Sequence, residues 1–350
     1  MQQSVAIGIM SGTSLDGLDL VLVRFTHQNK WDFEILKSTT IDYDNYWVEK
    51  LSHAPALNGF DLIKLSKDFG AYIGTCVNNF LIDVSVPIHF IASHGHTVFH
   101  QPDKGITLQI GNGQEIATKT KITTICDFRS KDVALGGQGA PLVPIGDKLL
   151  FSDYGCCINI GGFANISFDT NETRIAYDIC PANIVLNHLS EIIGQKFDKN
   201  GEISQKGNFN QQLFNELNSI SYYEKLYPKS LGREWLETHF FPILNKYAIT
   251  TEDKLNTVSH HVAFQISQSL KNKEGKALVT GGGAFNRFLI DLIKQNSNSE
   301  ITIPENNIVE YKEAIIFAFL GLLRFINQTN CLASVTGATK DSCCGVLFEP

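Results

Sequence analysis

No window of the 350-residue chain reaches ~18 uninterrupted apolar residues, so no segment is suited to spanning a bilayer as a helix. Residues 1–10 also lack the charged start, long apolar stretch and small-residue cleavage site of a secretory leader. A soluble protein that stays in the cytoplasm is the expectation, with no membrane partner. A basic stripe is missing too. The net charge is -7 and both signs are scattered along the chain, so nothing is arranged to neutralise a phosphate backbone, and nucleic acid is not an expected partner. The 8 cysteines include no C-x-x-C, and adjacent cysteines rarely bridge each other or share one metal. They read as buried reduced thiols, with Cys180 set apart because it falls in a candidate active-site turn.

What is present is apolar material for more than one core. With 43% hydrophobic residues over 350, two lobes with a cleft between them are expected, and a small ligand as partner. Residues 5–10, 18–25 and 33–40 read as three strands. Leu62, Leu65, Phe69, Ile73, Val77 and Phe80 then recur at helical spacing. Short buried strands follow at 88–92, 106–110 and 122–126. A similar opening recurs after Gly155: strands at 156–160, 164–168 and 174–177 closed by Asp178, then a helix introduced by Pro181. A helix near 258–270, a strand at 277–280 and a helix from Phe285 repeat the theme, and 313–326 reads as a final apolar helix. Two copies of one plan point to an α/β fold built by duplication. The lobes are drawn at 1–130 plus 327–350 and at 131–326, with 195–256 as a polar, irregular insertion on the second.

Neither G-x-x-x-x-G-K-[ST] nor G-x-G-x-x-G occurs, so the P-loop and Rossmann fingerprints are absent. Three other glycine turns each follow a predicted strand: Met10 to Gly17, Gly161-Gly162 and Gly281-Gly282-Gly283. Glycine lets backbone N–H groups approach an anion, and hydroxyls beside it add donors, so such turns suit a nucleotide's phosphates. Each alone would serve equally as a hairpin or packing turn. Asp16 could hold magnesium beside the phosphates or simply form an Asx turn. Asp178, ending its strand before a helix, could act as a general base or as a helix cap.

In Ser93-His94-Gly95-His96-Thr97, the two histidines would share a side if the strand continued; hydrogen bonds to a sugar suit them better than zinc, which needs more ligands. Arg129, in the charge-dense loop from Asp127, could pair with a substrate carboxylate or with Asp127 or Asp132.

At this point the motifs form a set. Gly8-Ile9-Met10-Ser11-Gly12-Thr13-Ser14-Leu15-Asp16-Gly17 resembles the N-terminal signature of the anhydro-N-acetylmuramic acid kinases. Ser93-His94-Gly95-His96-Thr97-Val98, Asp127-Phe128-Arg129 running on to Gly136-Gly137-Gln138-Gly139-Ala140-Pro141, Asn159-Ile160-Gly161-Gly162, Pro228-Lys229-Ser230, Gly281-Gly282-Gly283-Ala284 and Ser334-Val335-Thr336-Gly337-Ala338 continue it in order. The resemblance implies an actin/sugar-kinase-like fold of two duplicated ribonuclease-H-like lobes, with ATP and Mg2+ in the cleft. It implies a cytoplasmic enzyme of peptidoglycan recycling that opens the 1,6-anhydro ring with water and phosphorylates the freed 6-oxygen. It allows a homodimer. By motif, Gly12, Thr13, Ser14, Leu15, Asp16, Gly17, Leu18 and Asp19 correspond to the ATP-phosphate segment and Asp178 to the catalytic aspartate. Gly161, Gly162, Gly281, Gly282 and Gly283 join the ATP set; His94, His96, Thr97, Asp127 and Arg129 form the sugar set. Two positions depart from the family pattern: Ile179-Cys180 stands where Thr-Gly is usual, and His96 where glutamine is common. The competing readings are a non-catalytic nucleotide- or sugar-binding member of the fold, and a kinase for another anhydrosugar such as levoglucosan.

Overall fold

The structure, a computed structural model, describes residues 2–12, 14–171 and 173–350. Along the chain come β1 (Gln2–Ser11), β2 (Gly17–His27), β3 (Trp31–Asp42), α1 (Asn45–His53), α2 (Gly59–Phe80), β4 (Phe90–Gln101), β5 (Ile106–Ile110), α3 (Gly113–Thr120), β6 (Thr124–Cys126), α4 (Ser130–Ala134) and α5 (Val143–Leu150). Next are β7 (Cys156–Ile160), β8 (Phe163–Thr170), β9 (Thr173–Pro181), α6 (Asn183–Ile192), α7 (Gln211–Asn218), α8 (Arg233–Trp235), α9 (Phe241–Lys246) and α10 (Thr251–Leu270). The chain ends with β10 (Ala277–Thr280), α11 (Arg287–Asn296), β11 (Ile301–Thr302), α12 (Asn306–Phe325), α13 (Ala333–Thr336) and β12 (Val346–Phe348). No described helix is long and apolar enough to cross a membrane.

Two compact units result: Met1–Leu150 with Tyr311–Pro350, and Phe151–Glu310. The first therefore extends past residue 130, where the sequence reading drew its edge. The reason is α5: Asp147 makes a buried ion pair with Lys312 of α12 at 2.8 Å, and a Cβ on Gly146 would come within 2.7 Å of Ile316.

In the first unit the sheet order is β12-β6-β4-β1-β2-β3, with β5 also on β4. Strands β1, β2 and β3 form an antiparallel meander, and β4 runs parallel to β1. The near-continuous apolar run of β1 suits a central strand covered on both faces. Val5, Ile7 and Ile9 join a core with Leu65, Phe69, Ile73 and Val77 of α2. Full burial of each such side chain is worth about 1.5–3 kcal/mol. On the alternate side, Gly8 lets α12 approach so closely that a Cβ there would lie 2.0 Å from the Ala314 carbonyl oxygen. Helix α2 starts where Asn58 accepts from the Asp61 N–H at 3.0 Å, an N-cap that satisfies an otherwise orphaned donor.

The second unit repeats the plan. Its sheet order is β11-β10-β7-β8-β9, with an antiparallel β7-β8-β9 meander and β10 parallel to β7. This repeated α/β layout is the one expected from the sequence. The polar stretch 195–256 is more ordered than its composition suggests: Leu213, Leu217, Tyr222, Leu236, Phe240 and Leu244 all join the second unit's core.

Candidate active site

The turn leaving β1 is exposed at Ser14 and Asp16, while Leu15 adopts a left-handed φ of 58°. Ser14 Oγ donates to Asp16 Oδ1 at 2.7 Å, which leaves the other Asp16 oxygen open among the described residues. Thr13 lies outside the described residues. Gly17 packs on β3, where a Cβ would be 2.7 Å from the Ile41 carbonyl oxygen, and Leu18 is a fully buried core residue. Asp19 Oδ1 accepts from Thr40 at 2.6 Å. The donor chemistry fits magnesium, which is typically held by one or two carboxylates plus substrate phosphates. Among the described residues no group of three or more His, Cys, Asp or Glu side chains could hold a metal ion by itself.

Strand β4 does continue through the histidine motif, but not regularly. Ile9 pairs with Ser93 and Ser11 with His96, so His94 and Gly95 together oppose Met10 in a β-bulge. Gly95 takes φ 74°, and a Cβ there would meet the Ile110 oxygen at 2.4 Å. The bulge breaks the alternation, so the expected pairing of the two histidines on one side is replaced by separate partners. His94 Nδ1 donates to the Gly95 carbonyl at 2.9 Å, and its Nε2 accepts from Arg129 Nε at 3.0 Å. Burial first, then the Arg129 charge, pushes its pKa down to about 3, so the ring is neutral. His96 Nδ1 meets Ser11 Oγ at 3.2 Å, Ser11 in turn accepts from Tyr43 at 2.7 Å, and the His96 ring hydrogen-bonds the Gly12 backbone. Burial lowers its pKa as well. Thr97 is half-buried and accepts from Gln109 at 3.4 Å.

Arg129 has partners of an unexpected kind. Nε and Nη2 reach His94, and Nη1 donates to the Gly139 carbonyl at 2.6 Å. Asp127 instead takes φ 55° and accepts from the Ser130 N–H at 3.1 Å. Neither Asp127 nor Asp132 pairs with the guanidinium, and among the described residues no carboxylate lies within ion-pair distance of it. Burial lowers its pKa to about 10 against the pull of the Glu313 charge, so it remains a cation whose hydrogen-bond acceptors are all neutral.

In the second unit β9 runs on to Pro181, and α6 is capped at Ala182 with no side-chain bond. Asp178 is therefore inside a strand and caps no helix. It pairs with Asn165, and Ile179 is the extra residue before the next pair, Ala164 with Cys180. Asp178 Oδ2 accepts from the Leu231 N–H at 2.9 Å; its backbone N–H donates to Lys229 and its carbonyl accepts from Tyr222 at 2.6 Å. Desolvation holds the carboxyl above its ordinary range, against the pull of the Leu231 bond. Lys229 lies 4.8 Å above the Tyr222 ring, and burial lowers its pKa.

The Gly161 and Gly162 carbonyls accept from the N–H groups of Asn183, Ala182 and Ile184, which ties this turn to the start of α6. Gly281 and Gly283 are packing glycines: Cβ atoms there would lie 2.5 Å from Asn159 and 2.2 Å from Ile160. Gly282 is free of such contacts and borders a pocket of about 440 Å³ lined by Asn183, Asn187, Phe197, Lys199 and Phe285 among others.

These pieces now meet the comparisons. The family model described as anhydro-N-acetylmuramic acid kinase matches residues 4–350. The chain belongs to that family. An anhydro-N-acetylmuramic acid kinase of Shewanella sp. strain W3-18-1 is 34% identical over 378 residues, covering 100% of both chains. One from Saccharophagus degradans is 33% identical with the same coverage. Among solved structures, the activator of the 2-hydroxyisocaproyl-CoA dehydratase from Clostridium difficile with bound ADPNP is 15% identical, covers 92% of this chain and 97% of its own, and gives a TM-score of 0.43. A ligand-bound xylulose kinase from Lactobacillus acidophilus gives 0.45 at 11% identity, covering 99% and 94%. Likeness this remote carries no weight for the site.

In this member of the anhydro-N-acetylmuramic acid kinase family, the departure at Ile179-Cys180 has a structural answer. Both side chains are buried in the second unit's core and neither has positive φ, so the backbone there requires no glycine. All 8 cysteines are free thiols, and Cys343 alone is not buried. Several site residues had no clear sequence signal. Leu231 and Tyr222 sit in the polar stretch, as do Phe197 and Lys199 of the pocket. Glu313 is an acid on α12 whose carboxyl is raised by desolvation, drawn down by Arg129 and Lys312, and pushed up by Asp19. Its only signal is a charge at the head of the apolar run 314–320.

Proposed function

We propose that the chain is an ATP-dependent anhydro-N-acetylmuramic acid kinase of peptidoglycan recycling, working in the cytoplasm. The observation that supports this most directly, beside family membership, is Asp178: a desolvated carboxylate with a raised pKa, one oxygen held by a backbone N–H and the other without a described hydrogen bond. Such a group suits a general base. In this reading Asp178 takes a proton from water as the water oxygen bonds to the anomeric carbon. The bond from that carbon to the ring-bridging 6-oxygen breaks, and the freed oxygen bonds to the γ-phosphorus of ATP as ADP leaves. The products are N-acetylmuramic acid 6-phosphate and ADP.

The remaining residues position and neutralise, which is where most phosphoryl-transfer catalysis lies. Arg129, with no carboxylate in ion-pair distance among the described residues, takes the lactyl carboxylate of the sugar, with His94, Thr97 and Asp127 around it. His96 supports the Gly12 backbone through Ser11 and its own ring. Gly12, Thr13, Ser14, Leu15 and Asp16 receive the phosphates, with Gly17, Leu18 and Asp19 anchoring the turn in β2. Asp16 is the residue suited to holding Mg2+, which would neutralise phosphate charge. Gly161 and Gly162 with Gly281, Gly282 and Gly283 frame the nucleotide, and the pocket beside Gly282 takes its nucleoside end between Phe197 and Phe285. Incubation with ATP, Mg2+ and anhydro-N-acetylmuramic acid, followed by mass spectrometry, is expected to yield ADP and the 6-phosphosugar. Nucleotide binding without either product would favour the non-catalytic reading; a product from levoglucosan but none from the muramyl sugar would favour another anhydrosugar.

A further inference from the structure

Behind Arg129 lies a second acid that the reaction does not use. Asp132 of α4 is fully buried, and none of its described donors is a cation. Oδ1 accepts from Thr336 Oγ1 at 2.8 Å and from Cys331 Sγ at 3.0 Å, and Oδ2 accepts from the Gly139 N–H at 2.8 Å. The glycine loop is wrapped on this carboxyl: a Cβ on Gly137 would lie 2.2 Å from Asp132 Oδ2, and Gly136 and Gly139 take φ of 81° and 65°. Gly139 is therefore held on both sides. Its N–H is fixed by Asp132, and its carbonyl is the acceptor that holds Arg129 Nη1 at 2.6 Å.

Burying an acid among neutral donors costs free energy that an apolar residue of similar volume would avoid, so stability alone does not account for it. We propose that Asp132 is a positioning residue that sets the Arg129 guanidinium through Gly139, and so tunes recognition of a carboxylate-bearing anhydrosugar. The inference rests on the reading of Arg129 as the partner of the sugar's carboxylate. The chain of contacts is short and covalently continuous at Gly139, running from Asp132 Oδ2 to the Gly139 N–H and from the Gly139 carbonyl to Arg129 Nη1.

The test is a double-mutant cycle on the full-length enzyme, with steady-state kinetics for anhydro-N-acetylmuramic acid. Asp132→Asn is expected to raise the sugar KM about tenfold to hundredfold, the range for disturbing a buried charge-assisted bond, with kcat changed less than about threefold and the ATP KM unchanged. In the Arg129→Ala background the same substitution is expected to cost nothing further, because residues acting through one another are not additive. Additive losses, or a loss falling on kcat or the ATP KM, would overturn the assignment. Should Asp132→Asn fail to fold, Thr336→Val runs the same cycle: it keeps the acid, removes one of its three donors, and is expected to shift the sugar KM severalfold only while Arg129 is present. If Arg129→Ala leaves the sugar KM unchanged, the reading of Arg129 falls and takes this inference with it. If Arg129→Ala is damaging but additive with the second substitution, only the role of Asp132 is lost.

Discussion

The same sheet plan is built twice in this chain, yet the two copies carry opposite charge at their candidate site positions. In the first unit a bulge at His94-Gly95 accompanies Arg129, a cation whose partners are a neutral imidazole and a carbonyl. In the second, a bulge at Ile179 accompanies Asp178, an acid whose side-chain partner is a backbone N–H. Burial works against the charged form in both, lowering the guanidinium pKa and raising the carboxyl. The two units thus share backbone topology, while their electrostatics are set by individual side chains. A charge hydrogen-bonded to neutral dipoles, without an ion-pair partner among the described residues, stays available to a ligand of the opposite sign or to a proton.

The strongest way to break that comparison is at Asp178. Asp178→Asn is expected to cut turnover by about 100-fold or more, as loss of a general base does, with ATP affinity by calorimetry within about twofold of the parent. The stability sign runs opposite to the activity. Because the folded state holds the Asp178 proton to higher pH than the unfolded chain, its contribution becomes unfavourable as pH rises through that window. The amide variant escapes this term, so its Tm at pH 7 should match or exceed the parent's; a clear fall would mean that Asp178 is a structural acid. Next in size is Arg129→Ala, expected to raise the KM for the muramyl sugar about tenfold to hundredfold and to affect levoglucosan, which has no lactyl carboxylate, far less. Equal losses on the two sugars would remove Arg129 from carboxylate binding.

Much of the frame is legible in the chain because it is set by local periodicity. The apolar run of β1, the three- and four-residue steps of α2 and the repeat after Gly155 each specify an element whose partners lie close in sequence. The site is legible only where a motif carries it. Asp178 and Arg129 stand out as charges after strands, but whether either is paired depends on Leu231 and Gly139, and no spacing rule brings those groups to them. The bulge at Gly95 shows the limit well: the strand does run through His96, but one extra residue sends the two imidazoles to different partners. Likewise, 195–256 looks like surface by composition, because its core leucines are spread among short helices too brief to produce a strong period.

The smallest effect sharpens the comparison from the neutral side. His94 is 5% exposed with its pKa pushed down to about 3, so in the native state it stays neutral through the range where an unfolded histidine gains a proton. Between about pH 6.5 and 3 the unfolded chain therefore binds the extra proton, and folding stability must fall as pH drops, by up to about 1.4 kcal/mol per pH unit for one such group. His94→Gln retains an acceptor for Arg129 and removes the titration. Urea unfolding of this variant from pH 7 to pH 4 is expected to show a shallower loss of stability than the parent. The slope should persist in part, because His261 in the second unit is fully buried with its pKa likewise pushed down to about 3. An unchanged slope would show that His94 is not held neutral. Arg129 would then share its environment with a second positive charge at low pH, and the contrast between the two units would weaken where the cation is held.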